Sequence, residues 1–245
     1  MTGMPDRPGL LGAVAIAMIA FVSPARADCG FPDVMVIGSA EETEMACRAL
    51  DGVLSWFAGN GQPIVPAVTI RFLDRVFCDF PAQPSGLPAC KVQVSGLFDF
   101  DRRVIEITSA DSPYRATRHP WGIDWGPEIA FSVLQHEMVH MAVADLLGPD
   151  RSHLSVAWHE LFAYAVQLDL LDPHLRARIL ERYADAIPFR HPDNVNAVIY
   201  GIDPDLFGVR AWLFVMANGG AAGLMSILRD APEKPLGRTD FFWTP

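Results

Sequence analysis

Between Gly126-Pro127 and Gly148-Pro149 runs an apolar stretch with His136-Glu137-Met138-Val139-His140 at its centre. A proline at the first helical position and a Gly-Pro stop signal predict one helix from Pro127 to Leu147. Phe131, Val133, Leu134, Val139, Val143 and Leu146 make that helix largely buried. Two imidazoles and a carboxylate inside an apolar helix are costly unless something compensates them, so this stretch constrains the fold strongly. At a spacing of four, His136 and His140 project from one helix face about one turn apart, close enough to share a metal ion. Glu137 projects beside them, within reach of a water at the metal without being a ligand. The competing expectation is a pair of core histidines satisfied by backbone or carboxylate partners.

A catalytic zinc takes three protein ligands and keeps a fourth position open. Val143 and Leu146 stand where a Gly and a His would extend the motif to H-E-x-x-H-x-x-G-x-x-H, which excludes that form. Twenty residues after His140 comes Glu160, within Trp158-His159-Glu160-Leu161-Phe162-Ala163-Tyr164 on the next predicted helix. Here the chain resembles the gluzincin metallopeptidases, of the thermolysin-like and peptidase-MA-like kind. In those, H-E-x-x-H is completed by a Glu about twenty residues on, from an antiparallel helix. Many members set that Glu in W-x-x-E-G-x-A-x-Y. In this chain one residue separates Trp158 from Glu160, Leu161 replaces the glycine, and Tyr164 falls one residue early.

The resemblance implies a zincin-like fold with zinc on His136, His140 and Glu160. It also implies Glu137 as general base, and a peptide or protein substrate lying along an edge strand. His159 is the rival third ligand; neighbours on a helix point about 100° apart, so both cannot face one metal. The family's ligand type favours Glu160. Family members add a Tyr or His that stabilises the oxyanion, but the closing helix here carries Phe207, Trp212 and Phe214 and no tyrosine. Tyr164 and Tyr200 are the candidate donors, with Tyr183, His191 and Arg210 also imaginable. That gap motivates a competing expectation, a zinc-binding or scaffold protein that keeps a peptidase-like fold without turnover.

The order of elements, strands first and helices after, points to α+β. Ser39 with Glu42 is a capping box, and Met45, Ala46, Ala49, Leu50, Val53, Leu54 and Phe57 follow at helical spacing, predicting a helix over 40–57. Residues 67–72 read as a strand and the proline-rich 78–90 stretch as a loop. Residues 91–96 and 103–108 read as a hairpin joined through 98–101, and the polar side of the second strand marks it as the sheet edge. Later helices are expected from Ser155 to about Leu171, from Asp172-Pro173 to about Ala186, and over 204–217 and 221–229. Residues 28–245 are thus expected to form one domain, with 28–125 mainly β plus one helix and 126–245 helical.

Leu10 to Val22 is an uncharged apolar run, preceded by Asp6 and Arg7 and followed by Ala25-Arg26-Ala27. A charged start, about a dozen apolar residues and an A-x-A box make a secretory signal peptide over 1–27. A bilayer core needs about 20 such residues, so the run is too short for an anchor, and no later stretch is long enough to span. The protein is therefore expected to be exported, to periplasm or exterior, with no membrane span after cleavage. The four cysteines, Cys29, Cys47, Cys78 and Cys90, all follow the expected cleavage site. An even count in an oxidising compartment suggests two disulfides; of three connectivities, Cys29–Cys47 with Cys78–Cys90 crosses the least chain. A net charge of −10, with Lys91 and Lys234 the only lysines and no basic cluster, argues against nucleic acid as a partner.

Overall fold

A computed structural model describes residues 25–27, 29–80, 90–117, 119–148 and 154–230. Its strands are β1 (Ala25–Ala27), β2 (Val34–Gly38), β3 (Val68–Leu73), β4 (Val76–Phe80), β5 (Cys90–Val94), β6 (Gly96–Asp99) and β7 (Val104–Thr108). Five of them form one sheet in the order β1-β2-β3-β7-β6, while β4 and β5 pair separately. Between β2 and β3 lies helix α1 (Ala40–Gly59), and these two strands are parallel, as a helical crossover requires. Ser39 starts α1 through a complete capping box: its hydroxyl accepts from the Glu42 amide, and Glu42 Oε2 accepts from the Ser39 amide at 2.8 Å.

Helix α2 (Pro127–Leu147) is the centre of the molecule. Sixteen of its 21 residues are buried, and a helix that is apolar all round must be covered on every side. The sheet covers it through β6 and β7, α1 lies against a second side, and α3 (Val156–Leu170) against a third. Then follow α4 (Pro173–Arg182), α5 (Ala197–Ile202), α6 (Pro204–Ala217) and α7 (Gly220–Asp230), with α6 packed on α3. The result is a mixed α/β protein whose main hydrophobic cluster among the described residues runs from Val34 on β2 to Leu228 on α7. Among the described residues no single helix is long and apolar enough to cross a membrane.

The strand expectations need correction. Phe98 and Asp99 belong to β6 itself, and the chain turns at residues 100–103, where Asp99 Oδ1 accepts from the amides of Asp101 and Arg102. Residues 91–94 do not pair with β7; they pair with β4, which runs into the stretch expected to be a loop. The edge is β6, not β7. The polar groups on β7 are satisfied by neighbours and not by water: Glu106 lies opposite Arg71 of β3 at 3.1 Å, and Thr108 Oγ1 donates to the Val94 carbonyl. Strand β2 and the short α5 lie outside every expected element, although Val34 and Val36 alternate with exposed Met35 as a half-buried strand does.

Residues 1–24, with the apolar run of the expected signal peptide, lie outside the described residues. Ala25–Ala27, the expected cleavage box, pairs antiparallel with β2, so cleavage after Ala27 would remove β1 and make β2 the outer strand. Cys29 is bonded to Cys47 of α1. The Cys90 side chain lies outside the described residues, and with it the second expected pairing; the backbone register sets Cys90 opposite Phe80 and Cys78 opposite Val92. The Cys29–Cys47 bridge spans 18 residues and ties the chain before β2 to the middle of α1. Closing a loop of that size stabilises a fold by about 3 kcal/mol. Cys47→Ser is therefore expected to lower the melting temperature by several degrees, and reductant to do the same to wild type but not to the variant.

Candidate metal centre

His136 and His140, one turn apart on α2, face each other with Nε2 atoms 3.2 Å apart. The second turn of α3 brings Glu160 onto the same point, its carboxylate oxygens 3.3 Å from His136 Nε2 and 3.6 Å from His140 Nε2. Ser155 sets the start of α3 by accepting from the Trp158 amide. All three ligand atoms lie within 4.8 Å of one another, and this group could hold a metal ion. It is largely shielded from water: both histidines are 7% exposed. The structure brings Glu160, and not His159, into the group. The His159 ring lies 6.4 Å from the His140 ring and edge-on to Phe100 at 5.6 Å. Regular helical geometry lets only one of two neighbouring residues face the pair.

Glu137 is held from the other side, by the sheet. The Thr108 amide donates to the Ser95 carbonyl, so along β6 the backbone groups of residues 97 and 99 turn to β7 and those of Gly96 and Phe98 turn outward. The Phe98 amide donates to the Glu137 carboxylate. Gly96 leaves room for it: a Cβ there would stand 2.8 Å from Glu137 Cγ and 2.9 Å from Oε1. The turn after β6 is tied to the far end of α2 by Arg103, whose guanidinium meets both Asp145 oxygens at 2.5 and 2.9 Å while its Nε donates to the Ala67 carbonyl. Gly96→Ala is expected to cost about 1–3 kcal/mol by overpacking against Glu137, read as a lower melting temperature. A variant as stable as wild type would mean that β6 does not press on Glu137.

Burial and mutual charge set the protonation of the metal-free cluster. Burial pushes the Glu137 carboxyl up to about 7, with the Glu160 charge adding and the His136 charge and the Phe98 amide opposing. It likewise drives His140 down to about 3, against the pull of Glu160. For His136 burial acts downward too, but its bond and charge interaction with Glu160 outweigh it and the net direction is up. Burial alone would raise Glu160; its bond to His136 and the neighbouring imidazoles hold it below the usual carboxylate range instead. The His136–Glu160 contact thus favours the charged form of both partners, burial keeps His140 neutral, and Glu137 sits near its midpoint at neutral pH.

Of the two tyrosines expected as oxyanion donors, Tyr164 lies against the cluster and Tyr200 lies behind it. Tyr164 lies edge-to-face on His136 at 4.6 Å, and Gly208 of α6 makes the space, since a Cβ there would stand 2.6 Å from the Tyr164 ring. Tyr200 packs at 6.5 Å from Tyr164 and 5.4 Å from Phe207. Of the others, Arg210 is bound to the Ile187 carbonyl and stacks on Phe189, and His191 pairs with Asp193 at the surface. Sequence reasoning missed Gln167, whose Oε1 lies 3.0 Å from His136 Nδ1. The signal was present: Glu160, Tyr164 and Gln167 recur at helical spacing on one face of α3.

The fold and the site define a mixed α/β protein with a buried His-His-Glu group, able to hold a metal ion, between its two central helices. Residues 34–231 match the model of a family described as "Family of unknown function (DUF6639)", and the chain belongs to that family. No curated protein and no solved structure matches it.

Proposed function

We propose that the protein is an exported zinc peptidase with a zincin-like fold, in which His136, His140 and Glu160 hold the metal and Glu137 is the general base. The observation that carries this is the convergence of three ligand atoms. A tetrahedral zinc with bonds of about 2.0–2.1 Å needs its ligand atoms about 3.3–3.4 Å apart. Here the two Nε2 atoms stand 3.2 Å apart, and Glu160 offers Oε2 at 3.3 Å from His136 Nε2 and Oε1 at 3.6 Å from His140 Nε2. Two imidazoles and one carboxylate also leave a fourth position open, as in catalytic zinc sites. Bound zinc supplies Lewis acidity toward a carbonyl oxygen and lowers the pKa of water.

Glu137 accepts the proton of the attacking water and passes it to the leaving amine; the burial that lifts its carboxyl to about 7 suits it to both tasks. The Phe98 amide fixes that carboxylate, while the outward Gly96 amide and carbonyl and the Phe98 carbonyl remain for an extended peptide to pair with. Export is supported by the Cys29–Cys47 bridge together with the signal-peptide pattern of residues 1–27. The test is metal content and turnover together. The purified mature chain is expected to hold about one zinc, as a mononuclear site requires, and to cleave a peptide library in a chelator-sensitive way. Glu137→Ala is expected to keep the metal and abolish cleavage. Metal-free protein from a zinc-replete preparation would overturn the proposal.

A zinc-binding protein without turnover is the second reading. Its support is the altered Trp158–Tyr164 setting around Glu160 and a closing helix whose aromatics are Phe207, Trp212 and Phe214, with no tyrosine. It expects zinc and no cleavage, so one reproducible chelator-sensitive cleavage rejects it.

A further inference from the structure

We infer that Gln167 is the positioning residue of the metal centre, fixing through Ser132 which nitrogen of His136 faces the metal. The inference rests on the metal-binding part of the reading above and needs no turnover. His136 is enclosed by one stripe of α3: Glu160 meets its Nε2 at 3.3 Å, the Tyr164 ring lies edge-to-face on it at 4.6 Å, and Gln167 Oε1 meets its Nδ1 at 3.0 Å.

The direction of every bond in the chain behind His136 follows from a backbone carbonyl. Ser132 Oγ donates its one proton to the Ile129 carbonyl at 3.0 Å, a group that can only accept. Toward Gln167 the hydroxyl therefore accepts, which demands the amide nitrogen, and Gln167 Nε2 stands at 3.2 Å. With its nitrogen engaged there, Gln167 presents only the oxygen to His136. Nδ1 must then carry a proton, so a metal that displaces the Nε2 proton shared with Glu160 meets a ring whose lone pair is on Nε2, turned to His140 and Glu160. Water cannot rearrange this chain, because Gln167 is 1% exposed and Ser132 fully buried. His140 lacks such support: its Nδ1 is buried with no hydrogen-bond partner among the described residues. His136 is thus the preset ligand, and His140 is oriented by the metal and its own packing.

A side chain that merely fills space would behave differently from one that orients a ligand. The test measures zinc affinity of the folded chain, by competition with a chromophoric chelator, for wild type, Gln167→Met, Gln167→Glu and Ser132→Ala. Met keeps the volume and loses the acceptor, and removal of a ligand's orienting partner weakens metal binding by about 10–100-fold. Glu restores an acceptor oxygen to Nδ1 and is expected to hold zinc within a few-fold of wild type. Ser132→Ala frees the amide to flip and falls between. In parallel, ring-nitrogen NMR of the metal-free chain at alkaline pH is expected to show His136 protonated on Nδ1 in wild type and a tautomer mixture in Gln167→Met. Equal zinc affinity in wild type, Gln167→Met and Ser132→Ala would overturn the inference, as would a mixed His136 tautomer in wild type. Should wild type bind no zinc yet show the fixed tautomer, the metal reading falls and the positioning of His136 by Gln167 stands.

Discussion

Chelation of the zinc-loaded protein is expected to lower its melting temperature by about 10 °C, and added zinc to restore it. A ligand that binds only the folded state at about 1,000 times its dissociation constant stabilises by about 4 kcal/mol, and a domain of this size shifts about 2–4 °C per kcal/mol. The physical origin lies in where the ligands sit. His136 and His140 belong to α2 and Glu160 to α3, so the metal would join two deeply packed helices at a point where two imidazoles and a carboxylate converge. His136→Ala and Glu160→Ala are expected to abolish the response to zinc altogether. His159→Ala is expected to keep it, because His159 is not among the three converging groups. A melting temperature indifferent to chelator in wild type would return His136 and His140 to the role of core histidines.

Replacing Glu137 by Gln separates chemistry from stability. Loss of a general base typically costs about 10²–10⁴-fold in turnover, while the metal should stay, since Glu137 is not among the three converging ligands. Stability of the chelated protein should move the other way, with a sign set by linkage. In the fold the Glu137 carboxyl lies near 7 against an ordinary 4.5, so the folded state favours the neutral form. Its contribution is full below about pH 4.5 and is lost as pH rises through about 7. Glutamine, neutral throughout, loses nothing over that window. Chelated wild type and Glu137→Gln should therefore melt alike near pH 4.5, and above pH 7 the variant should be the more stable, by a few kcal/mol. Parallel pH profiles for the two proteins would mean that the Glu137 carboxylate is solvated and not held in the dry space between β6 and α2.

Most helices were legible from local signals. The capping box at Ser39 and Glu42, the Gly126-Pro127 start of α2 and its stop at Gly148 are properties of a few adjacent residues, and the structure keeps them. The strands were harder, since pairing is decided by neighbours distant in sequence. The polar face of β7 looked like an edge because the partner of Glu106, Arg71 on β3, lies 35 residues away. A chain that leaves one sheet at Ser95 and enters another at Gly96 shows no local mark beyond that glycine, and Gly96 is needed for its closeness to Glu137 rather than for the turn.

The same division runs through the site. The sequence by itself determined that two imidazoles share a helix face and that a glutamate follows twenty residues on, because helical periodicity is intrinsic to the backbone. Whether Glu160 or His159 turned inward depended on how α3 is rotated against α2, and α6 decides that by packing on α3, with Gly208 making room for Tyr164. The tertiary structure alone decided that Gln167 backs His136 and that an edge-strand amide holds Glu137. Both are contacts between separate elements, and no local rule of spacing encodes them.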